Sequence, residues 1–378
     1  MSASAYLGAA PARLGVLGGG QLGRMIGQAA QSLGIECLYL DPAEEACAAA
    51  VGRRLRADFD DAKVLAALAD ACPVVTLEFE NVPTATVAEI GKRTTVWPAA
   101  TSLEVAQDRL VEKERFQALG IPVAPFEAVD SVEALHGAID RIGLPCVLKT
   151  RRLGYDGKGQ VVLRDAGAVA SAWDAIGGRP AIVESLVDLA REVSAIGVRS
   201  ADGETRFYPL SENVHRDGVL HTARPMPDDP LFGTATGHAK RLMDALGHVG
   251  VLAFEFFVDG EGTLLANEIA PRVHNSGHWS IEGAHCSQFE NHVRAVTGLP
   301  LGETAARGCS AMINLLGDVP PREHFLAIPG AHLHHYGKSA RPGRKVGHVT
   351  VCADDAATLA RREAAVLEVI AAAVSADA

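Results

Sequence analysis

The first hundred residues alternate short apolar runs with amphipathic stretches. Residues 13–17 and 35–40 are apolar enough for buried strands, and residues 21–33 between them have a helical periodicity that ends at Gly34. Residues 74–79 form a further apolar run of strand length. The pattern therefore predicts a βαβ opening and a parallel sheet in an N-terminal α/β domain.

The pattern changes beyond residue 100. Thr101 or Ser102 can cap a helix that runs to Leu119, where Gly120 and Pro122 stop it, and we place the first domain boundary near this helix. A larger α+β segment begins near residue 190, and an alanine-rich helix is expected at the C-terminus. The intervening strand-like runs are residues 145–150, 159–163 and 181–183.

Composition narrows the class of protein. The chain has 378 residues, of which 48% are hydrophobic, so it can bury more than one core. Its net charge of -11 argues against a general nucleic-acid surface, so any anion site must be local. No apolar run approaches the ~20 residues of a bilayer span, and no secretory signal is recognisable. Seven scattered cysteines without CxxC spacing favour free thiols in a reducing cytoplasm.

Residues 18–23, Gly-Gly-Gly-Gln-Leu-Gly, fit the GxGxxG pattern between a strand and a helix. Asp41 lies near the offset expected of a carboxylate that binds a ribose, so the motif taken alone favours a dinucleotide site. The alternative is that the glycines only permit a tight turn and close helix packing, while the helix N-terminus serves another ligand. The motif by itself leaves both interpretations open.

Residues 154–160, Gly-Tyr-Asp-Gly-Lys-Gly-Gln, form a second glycine-rich segment, between two strand-like runs. Its three glycines let backbone N–H groups approach an anion, and Lys158 adds a positive charge. Lys149 ends the preceding strand and adds another. A plain flexible turn is the alternative, because the segment lacks the ending of a P-loop. The clustering of lysines favours a phosphate site.

Glu255 and Glu268 flank a turn at residues 259–262. If this four-residue loop closes a hairpin, position 258 pairs with 263 and position 255 with 266, which makes the two glutamates diagonal neighbours on one face. Such a pair can share a divalent ion, and oxygen ligands suit Mg²⁺ carried by a polyphosphate. A solvated outer face is the alternative, but the strand around Glu255 is otherwise almost wholly apolar.

Four positive charges fall within eight residues near the C-terminus, in a loop rich in proline and glycine. In an acidic chain this loop predicts a local site for a phosphomonoester or a carboxylate, and a solvated basic loop is an equal alternative. The charges belong to Lys338, Arg341, Arg344 and Lys345.

Residues 267–278 combine a carboxylate, a guanidinium, two imidazoles and two amides with almost no apolar periodicity, so they predict a functional site. His215, which follows Ser-Glu-Asn, is a further candidate by context. The group His332, His334 and His335 has no second cluster at ligand spacing, so we expect ordinary histidines there and no zinc site.

Several motifs in this order resemble the ATP-grasp superfamily and, within it, the N5-carboxyaminoimidazole ribonucleotide synthetase family of purine biosynthesis. The resemblance spans about residues 13–351. It is carried by GGGQLGRM at 18–25, EFENVP at 78–83, QDR at 107–109, the loop at 154–160, YPLSENVHRDG at 208–218, NEIAPRVHNSGHW at 267–279 and RPGRKVGH at 341–348.

The resemblance implies a three-domain fold of mixed α/β and α+β class. Its parts are a Rossmann-like N-terminal domain at residues 1–105, a linker helix with a lid domain at 106–189, and a C-terminal ATP-grasp domain at 190–378. The implied enzyme is a cytoplasmic homodimer that uses ATP, Mg²⁺ and bicarbonate to carboxylate 5-aminoimidazole ribonucleotide through carboxyphosphate.

The resemblance also implies roles for individual residues on the nucleotide side. Arg272, Lys149 and Asp156 would be catalytic, and Glu255 and Glu268 would hold Mg²⁺. The implied ATP-binding residues are Arg109, Lys149, Gly154, Tyr155, Asp156, Gly157, Lys158, Gly159, Gln160, Glu184, Ser185, Leu186, Val187, Glu192, His215, Asn267 and Glu268.

The acceptor side is implied in the same way. The residues that would bind the aminoimidazole ribonucleotide are Gln21, Leu22, Glu78, Tyr155, Asp156, Arg272, His274, Asn275, Lys338, Arg341, Arg344 and Lys345. Two rival functions stay open. One is another ATP-grasp enzyme, such as the formate-dependent glycinamide ribonucleotide transformylase, and the other is a nicotinamide-dependent oxidoreductase that rests on the first glycine motif.

Overall fold

The computed structural model describes residues 12–154 and 159–376, which form three β-sheets with their covering helices. The first sheet has five parallel strands in the order β3-β2-β1-β4-β5. The predicted βαβ opening is confirmed. The elements are β1 (Arg13–Leu17), α1 (Gln21–Ser32), β2 (Glu36–Leu40), β3 (Arg53–Leu55), α2 (Ala62–Ala71), β4 (Val74–Leu77), α3 (Thr84–Gly91) and β5 (Thr95–Val96).

Strand order reverses between β1 and β4, and ligands of open α/β sheets bind beyond the carboxyl ends of strands at such a point. The glycine turn follows β1, and the segment Glu78-Phe79-Glu80-Asn81 follows β4. The first sheet therefore presents both motifs at the same edge.

Two helices, α4 (Ala100–Ala106) and α5 (Arg109–Ala118), connect the first sheet to the second. The single helix predicted up to Leu119 is therefore wrong. The helix breaks because the Asp108 side chain accepts the N–H of Leu110 at 3.1 Å and caps α5. The Gln107 side chain donates to the carbonyls of residues 80 and 82, both at 2.8 Å.

The second sheet has four antiparallel strands in the order β6-β9-β7-β8. Its central strands, β7 and β9, carry Lys149 and Glu184 on the same face of the sheet. The elements are β6 (Phe126–Val129), α6 (Val132–Ile142), β7 (Cys146–Thr150), β8 (Gln160–Leu163), α7 (Val169–Ala175) and β9 (Ala181–Ser185).

The third sheet has nine strands, eight of them in the order β15-β14-β10-β12-β13-β16-β18-β17, with β11 paired to β10. The domain limits at residues 105 and 189 stay a prediction. The elements are β10 (Leu189–Arg199), β11 (Thr205–Phe207), β12 (Leu210–Arg216), β13 (Val219–Met226), α8 (Phe232–Leu246), β14 (Gly250–Asp259), β15 (Leu264–Ala270), α9 (Ser280–Gly283), α10 (Gln288–Thr297), β16 (Cys309–Leu316), α11 (Arg322–Leu326), β17 (Ala331–His335), β18 (Lys345–Ala353) and α12 (Ala356–Ala376).

The β14–β15 hairpin has a different register from the predicted one. Val258 pairs with Leu264, and after a β-bulge Glu255 lies directly opposite Glu268. The predicted pairing of position 255 with 266, and hence the diagonal spacing of the glutamates, is wrong. Five residues, not four, separate Val258 from Leu264, and the bulge in β15 then shifts every later pair by one further position.

His292 and His248 join the first domain to the third. The Nδ1 of His292 accepts the N–H of Val251 at 3.1 Å, so its Nε2 carries the proton and donates to Thr76 Oγ1 at 2.9 Å. The Nε2 of His248 donates to the Val251 carbonyl at 3.1 Å, while its Nδ1 accepts from Ser102 Oγ at 3.1 Å. Both rings are fully buried, and burial lowers the pKa of His292 to about 3 and of His248 to about 4.

No helix in the described part of the chain is long and apolar enough to cross a membrane. All seven cysteines are free, and four of them, Cys37, Cys72, Cys146 and Cys286, are buried.

Acidification should weaken the contact that His292 makes between the domains. The unfolded chain binds a proton at His292 near pH 6.5, whereas the folded chain does so only near pH 3. The contribution of His292 to the free energy of unfolding is therefore complete above pH 6.5 and is lost as the pH decreases toward 3. For each such histidine, the free energy of unfolding falls by about 1.4 kcal/mol per pH unit within this window. The urea midpoint, followed by tryptophan fluorescence, should therefore fall more steeply between pH 6.5 and 4.5 in the unmodified protein than in His292→Gln. Equal slopes would contradict this account.

Candidate active site

The three sheets surround a cleft of about 1160 Å³. Helix α1, the segment after β4, helix α5, the β14–β15 hairpin and the loop before β18 all contribute to its walls. The predicted residues that line it are Gln21, Leu22, Glu78, Arg109, Gly154, Glu255, Glu268, Arg272, His274, Asn275, Lys338, Arg341, Arg344 and Lys345.

Other predicted residues do not line this cleft directly. The set comprises Lys149, Gly159, Gln160, Glu184, Ser185, Leu186, Val187, Glu192, His215 and Asn267. Tyr155, Asp156, Gly157 and Lys158, which carry much of the predicted phosphate loop, lie outside the described residues.

The first glycine turn binds a carboxylate of the protein itself. The backbone N–H groups of Gly20 and Gly23 donate to Glu78 at 2.8 and 3.0 Å, and a Cβ at Gly18 or Gly20 would lie 2.7 Å from the Glu78 side chain. Burial raises the pKa of Glu78, although the two N–H groups oppose that shift. Asp41 accepts the N–H of Gly19 at 2.5 Å. These carboxylates occupy the donors that a dinucleotide phosphate would need, which argues against the dinucleotide interpretation of the motif.

A buried charge cluster lies where the second and third sheets meet. Glu184 Oε2 is 3.1 Å from Lys149 Nζ and 3.3 Å from Lys113 Nζ. Burial acts to raise the pKa of Glu184, but Lys149 and Lys113 outweigh it and lower the pKa to about 2. Lys113 was absent from the set of site residues predicted from the sequence. Its contact depends on Glu184 in strand β9, 71 residues later, and could not be predicted from the local sequence.

Glu255 and Glu268 face each other at the mouth of the hairpin. Glu268 Oε2 lies 2.6 Å from Arg109 Nη1, and Glu255 Oε1 lies 3.5 Å from His274 Nε2. Burial and the facing Glu268 raise the pKa of Glu255 to about 7. Burial also acts to raise the pKa of Glu268, but Arg109 lowers it overall. Repulsion between the two carboxylates is therefore relieved on one side by Arg109 and on the other by proton uptake.

Arg272 is held by Glu80, which the motif-based prediction missed. The Nε of Arg272 donates to the Glu80 carboxylate, and its Nη1 donates to the carbonyl of Val273 at 3.0 Å. Burial acts to raise the pKa of Glu80, but the Arg272 guanidinium lowers it overall. Glu80 is two residues beyond Glu78 in the EFENVP motif, and this spacing is the signal that could have identified it.

His274 and Asn275 are held by amides from distant elements. Gln288 accepts the N–H of His274 at 2.9 Å and donates to its carbonyl at 2.6 Å. Asn275 and Asn314 donate to each other's side-chain oxygens at 3.1 and 2.6 Å. Burial and the nearby Arg272 lower the pKa of His274 well below its usual value. The neutral imidazole therefore lies beside Glu255, and both amide partners were missing from the sequence-based set.

His215 and Glu192 lie together on neighbouring strands, with His215 Nδ1 3.0 Å from Glu192 Oε2. Burial acts to lower the pKa of His215, but Glu192 raises it overall. The structure thus joins two residues that the sequence assigned to the nucleotide from separate motifs.

The basic loop before β18 is fixed by helix α1 of the first domain. Lys338 Nζ donates to Gln21 Oε1, and Arg24 Nη1 donates to the Tyr336 carbonyl at 3.1 Å. Within the loop, Arg344 Nη1 donates to the Ser339 carbonyl at 3.0 Å. The loop is therefore oriented toward the cleft by contacts between domains.

The histidines near β17 make ordinary contacts. His334 Nε2 lies 2.7 Å from Glu282 Oε1, its ring stacks on His348 with centroids 4.4 Å apart, and His332 and His335 are exposed. Among the described residues there is no group of three or more His, Cys, Asp or Glu side chains arranged to hold a metal ion alone.

Three family models match consecutive parts of the chain. The ribonucleotide synthetase preATP-grasp domain matches residues 12–107, and the ATP-grasp domain matches residues 114–289. The phosphoribosylaminoimidazole carboxylase C-terminal domain matches residues 310–362. The mixed fold class and the ATP-grasp architecture predicted from the sequence are thereby confirmed.

Relatives with high identity extend over nearly the whole chain. The N5-carboxyaminoimidazole ribonucleotide synthase of Pseudomonas aeruginosa is 53% identical over 94% of this chain and 98% of its own. The enzyme of the same name from Brucella melitensis is 47% identical over 89% of this chain and 95% of its own.

Solved structures agree with the sequence relatives. The N5-carboxyaminoimidazole ribonucleotide synthetase of Thermus thermophilus has a TM-score of 0.90 and 50% identity over 94% of this chain and 98% of that chain. The Aspergillus clavatus synthase, solved with ADP and 5-aminoimidazole ribonucleotide, has a TM-score of 0.88 and 30% identity over 95% of this chain and 98% of that chain. The chain belongs to the N5-carboxyaminoimidazole ribonucleotide synthase family of ATP-grasp ligases.

Proposed function

We propose that this enzyme uses ATP and bicarbonate to carboxylate the exocyclic amine of 5-aminoimidazole ribonucleotide, releasing ADP and phosphate in de novo purine biosynthesis. The observation that carries the proposal is one cleft in which a carboxylate pair, a partly buried guanidinium and a basic loop converge. These three features suit a metal–nucleotide, an acyl phosphate and a phosphomonoester. The ADP and ribonucleotide bound by the Aspergillus clavatus relative support the same pair of ligands.

The nucleotide is proposed to bind between the second and third sheets. Arg109 and Lys149 would provide cations for its phosphates. Residues 184–187 would border the adenine, and Glu192 would contact the ribose. His215 and Asn267 would be further nucleotide contacts. The buried cluster that holds Lys149 in place supports this assignment.

Glu255 and Glu268 fit a divalent cation. They offer oxygen donors from facing positions, and 40% of the Glu268 side chain is exposed to the cleft. Mg²⁺ is usually bound by one or two carboxylates together with substrate phosphates and water, so a site with only two protein carboxylates is sufficient. Bound there, Mg²⁺ would neutralise charge on the phosphates during transfer.

Arg272 is proposed to stabilise the carboxyphosphate that forms when bicarbonate attacks the γ-phosphate. A guanidinium can donate to two oxyanions at once, and Glu80 holds this one in a fixed orientation. His274 and Asn275 would orient the aminoimidazole, because distant amides fix both residues beside the metal site. The amine would then attack the carboxyl carbon of carboxyphosphate and displace phosphate.

The basic loop is proposed to receive the 5′-phosphate of the acceptor. Lys338, Arg341, Arg344 and Lys345 all line the cleft, and Gln21 and Leu22 border it from the first domain. Free cysteines favour a cytoplasmic location, and a homodimer is proposed from the family resemblance.

The reaction is tested by measuring ADP release. The release of ADP should require Mg²⁺, and its rate should rise when aminoimidazole ribonucleotide is added with bicarbonate, because the acceptor reacts with the activated carboxyl group and consumes it. Stimulation by formate with glycinamide ribonucleotide would favour the transformylase instead. Binding of NADH without ATP turnover would contradict both ligase assignments.

Glu268→Gln should reduce ADP formation below about 1% of the unmodified rate, because it removes a negative charge from the proposed metal site. Circular dichroism should show an intact fold, since the amide is isosteric. Glu261→Gln in the adjacent turn is the control, as its side chain is exposed, and it should retain full activity. Full activity in Glu268→Gln would contradict the metal assignment.

Arg341→Gln should raise the KM for aminoimidazole ribonucleotide roughly 10-fold and leave the KM for ATP within twofold, because a phosphate contact of about 1.4 kcal/mol is lost on one substrate only. Steady-state kinetics with each substrate varied separately would measure both constants. Arg322→Gln, at an exposed arginine in α11, should change neither constant. An equal rise in both KM values would place Arg341 outside the acceptor site.

A further inference from the structure

A β-bulge at Asn267 decides which face of the sheet Glu268 occupies. Between Val258 and Phe256 the hairpin pairs regularly, ending with Phe256 opposite Ala266. An unbroken continuation would set Glu255 opposite Asn267 and turn Glu268 to the other face, since cross-strand partners share a face and neighbours alternate. The observed pair, Glu255 with Glu268, exists only because Asn267 is the extra residue.

Strand β15 lies at the edge of the nine-stranded sheet, so its outer backbone groups need partners from elsewhere. The chain after α5 supplies one, because the carbonyl of Pro122 accepts the N–H of Ala266 at 2.8 Å. Side chains of α5 supply the next two. Lys113 Nζ donates to the Ala266 carbonyl at 3.1 Å, and Glu112 Oε1 accepts the N–H of Ile269 at 2.7 Å. The two contacts lie immediately on either side of the bulge and its displaced glutamate.

Glu112 and Lys113 are 2% and 1% exposed, and burying such groups costs free energy unless they are bonded. Lys113 is compensated by Glu184. Burial and the nearby Glu268 raise the pKa of Glu112 well above its usual range, which favours a neutral carboxyl group that accepts from Ile269. Arg109, on the same helix, contacts the Glu268 carboxylate itself. Helix α5 therefore contacts β15 with the side chains of three residues, Arg109, Glu112 and Lys113.

We propose that Glu112 and Lys113 are positioning residues that fix the bulge of β15 and so hold Glu268 opposite Glu255 for a divalent cation bound with a nucleotide. Neither residue needs to touch the cation or the nucleotide. The inference rests on the proposed metal site and adds the element that sets its geometry. Loss of the Glu112 contact should let the bulge migrate or fluctuate, which weakens metal-dependent binding more than binding of the nucleotide alone.

The test is calorimetric titration of ADP in the presence of Mn²⁺ and, separately, of EDTA. The ratio of the two dissociation constants gives the metal-dependent gain in affinity, independently of turnover. Glu112→Leu should reduce this gain at least 10-fold while the dissociation constant in EDTA stays within threefold. Glu112→Gln, which retains a carbonyl acceptor for Ile269, should keep the gain within threefold. Glu114→Leu is the matched control on the exposed face of α5 and should keep it within twofold.

An unchanged gain in folded Glu112→Leu would overturn the inference, and so would equal losses in Glu112→Gln and Glu112→Leu. If Glu112→Leu does not fold, Lys113→Met is tested in its place. We expect Lys113→Met to reduce the metal-dependent gain in ADP affinity at least fivefold, and an unchanged gain in this variant would overturn the inference. An unmodified protein without any Mn²⁺-dependent gain would contradict the proposed metal site itself. That outcome is distinct from a gain that persists without Glu112.

Discussion

Glu255 and Glu268 lie opposite each other on neighbouring strands, and their like charges repel unless cations or protons compensate them. Arg109 compensates Glu268, while Glu255 has a raised pKa beside the neutral ring of His274. A divalent cation carried by a nucleotide would satisfy both carboxylates together. The repulsion within this pair therefore explains why the cationic side chain of Arg109, from the linker helix, and the neutral side chain of His274, from the third domain, lie beside the hairpin.

The same principle of compensation connects the rest of the cleft. Glu80 from the first domain holds Arg272 of the third, and Glu184 from the second sheet holds Lys149 beside Lys113 of the linker helix. Arg272 and Lys149, which are proposed to meet a carboxyl group and a phosphate, are thus each oriented in advance by a carboxylate. Preorganised charges of this kind need little rearrangement when charge develops on a transferring group. The cleft depends on contacts between domains, so its chemistry and its domain packing are linked.

Local sequence patterns predicted the elements whose formation depends on residues that are close together in the chain. Strand β1, helix α1 and strand β2 follow from apolar periodicity and Gly34, and family motifs gave the fold class. The register of the β14–β15 hairpin was wrong for two reasons. Five residues, not four, separate Val258 from its partner, and a bulge in β15 adds a second shift. The residues on either side of that bulge are bonded to Glu112 and Lys113, more than 150 residues earlier. Likewise, Gln288 and Asn314 were missed because only the folded chain brings them to His274 and Asn275. The glycine motif was ambiguous until Glu78 was seen to fill it.

The location of a divalent cation bound with ADP tests the central claim most directly. Anomalous diffraction from a crystal of the enzyme grown with ADP and Mn²⁺ would locate that ion without reference to activity. The account predicts one anomalous peak between the carboxylates of Glu255 and Glu268, within about 2.5 Å of an oxygen from each and bridged to the ADP phosphates. A peak bound to ADP but remote from both glutamates would contradict it.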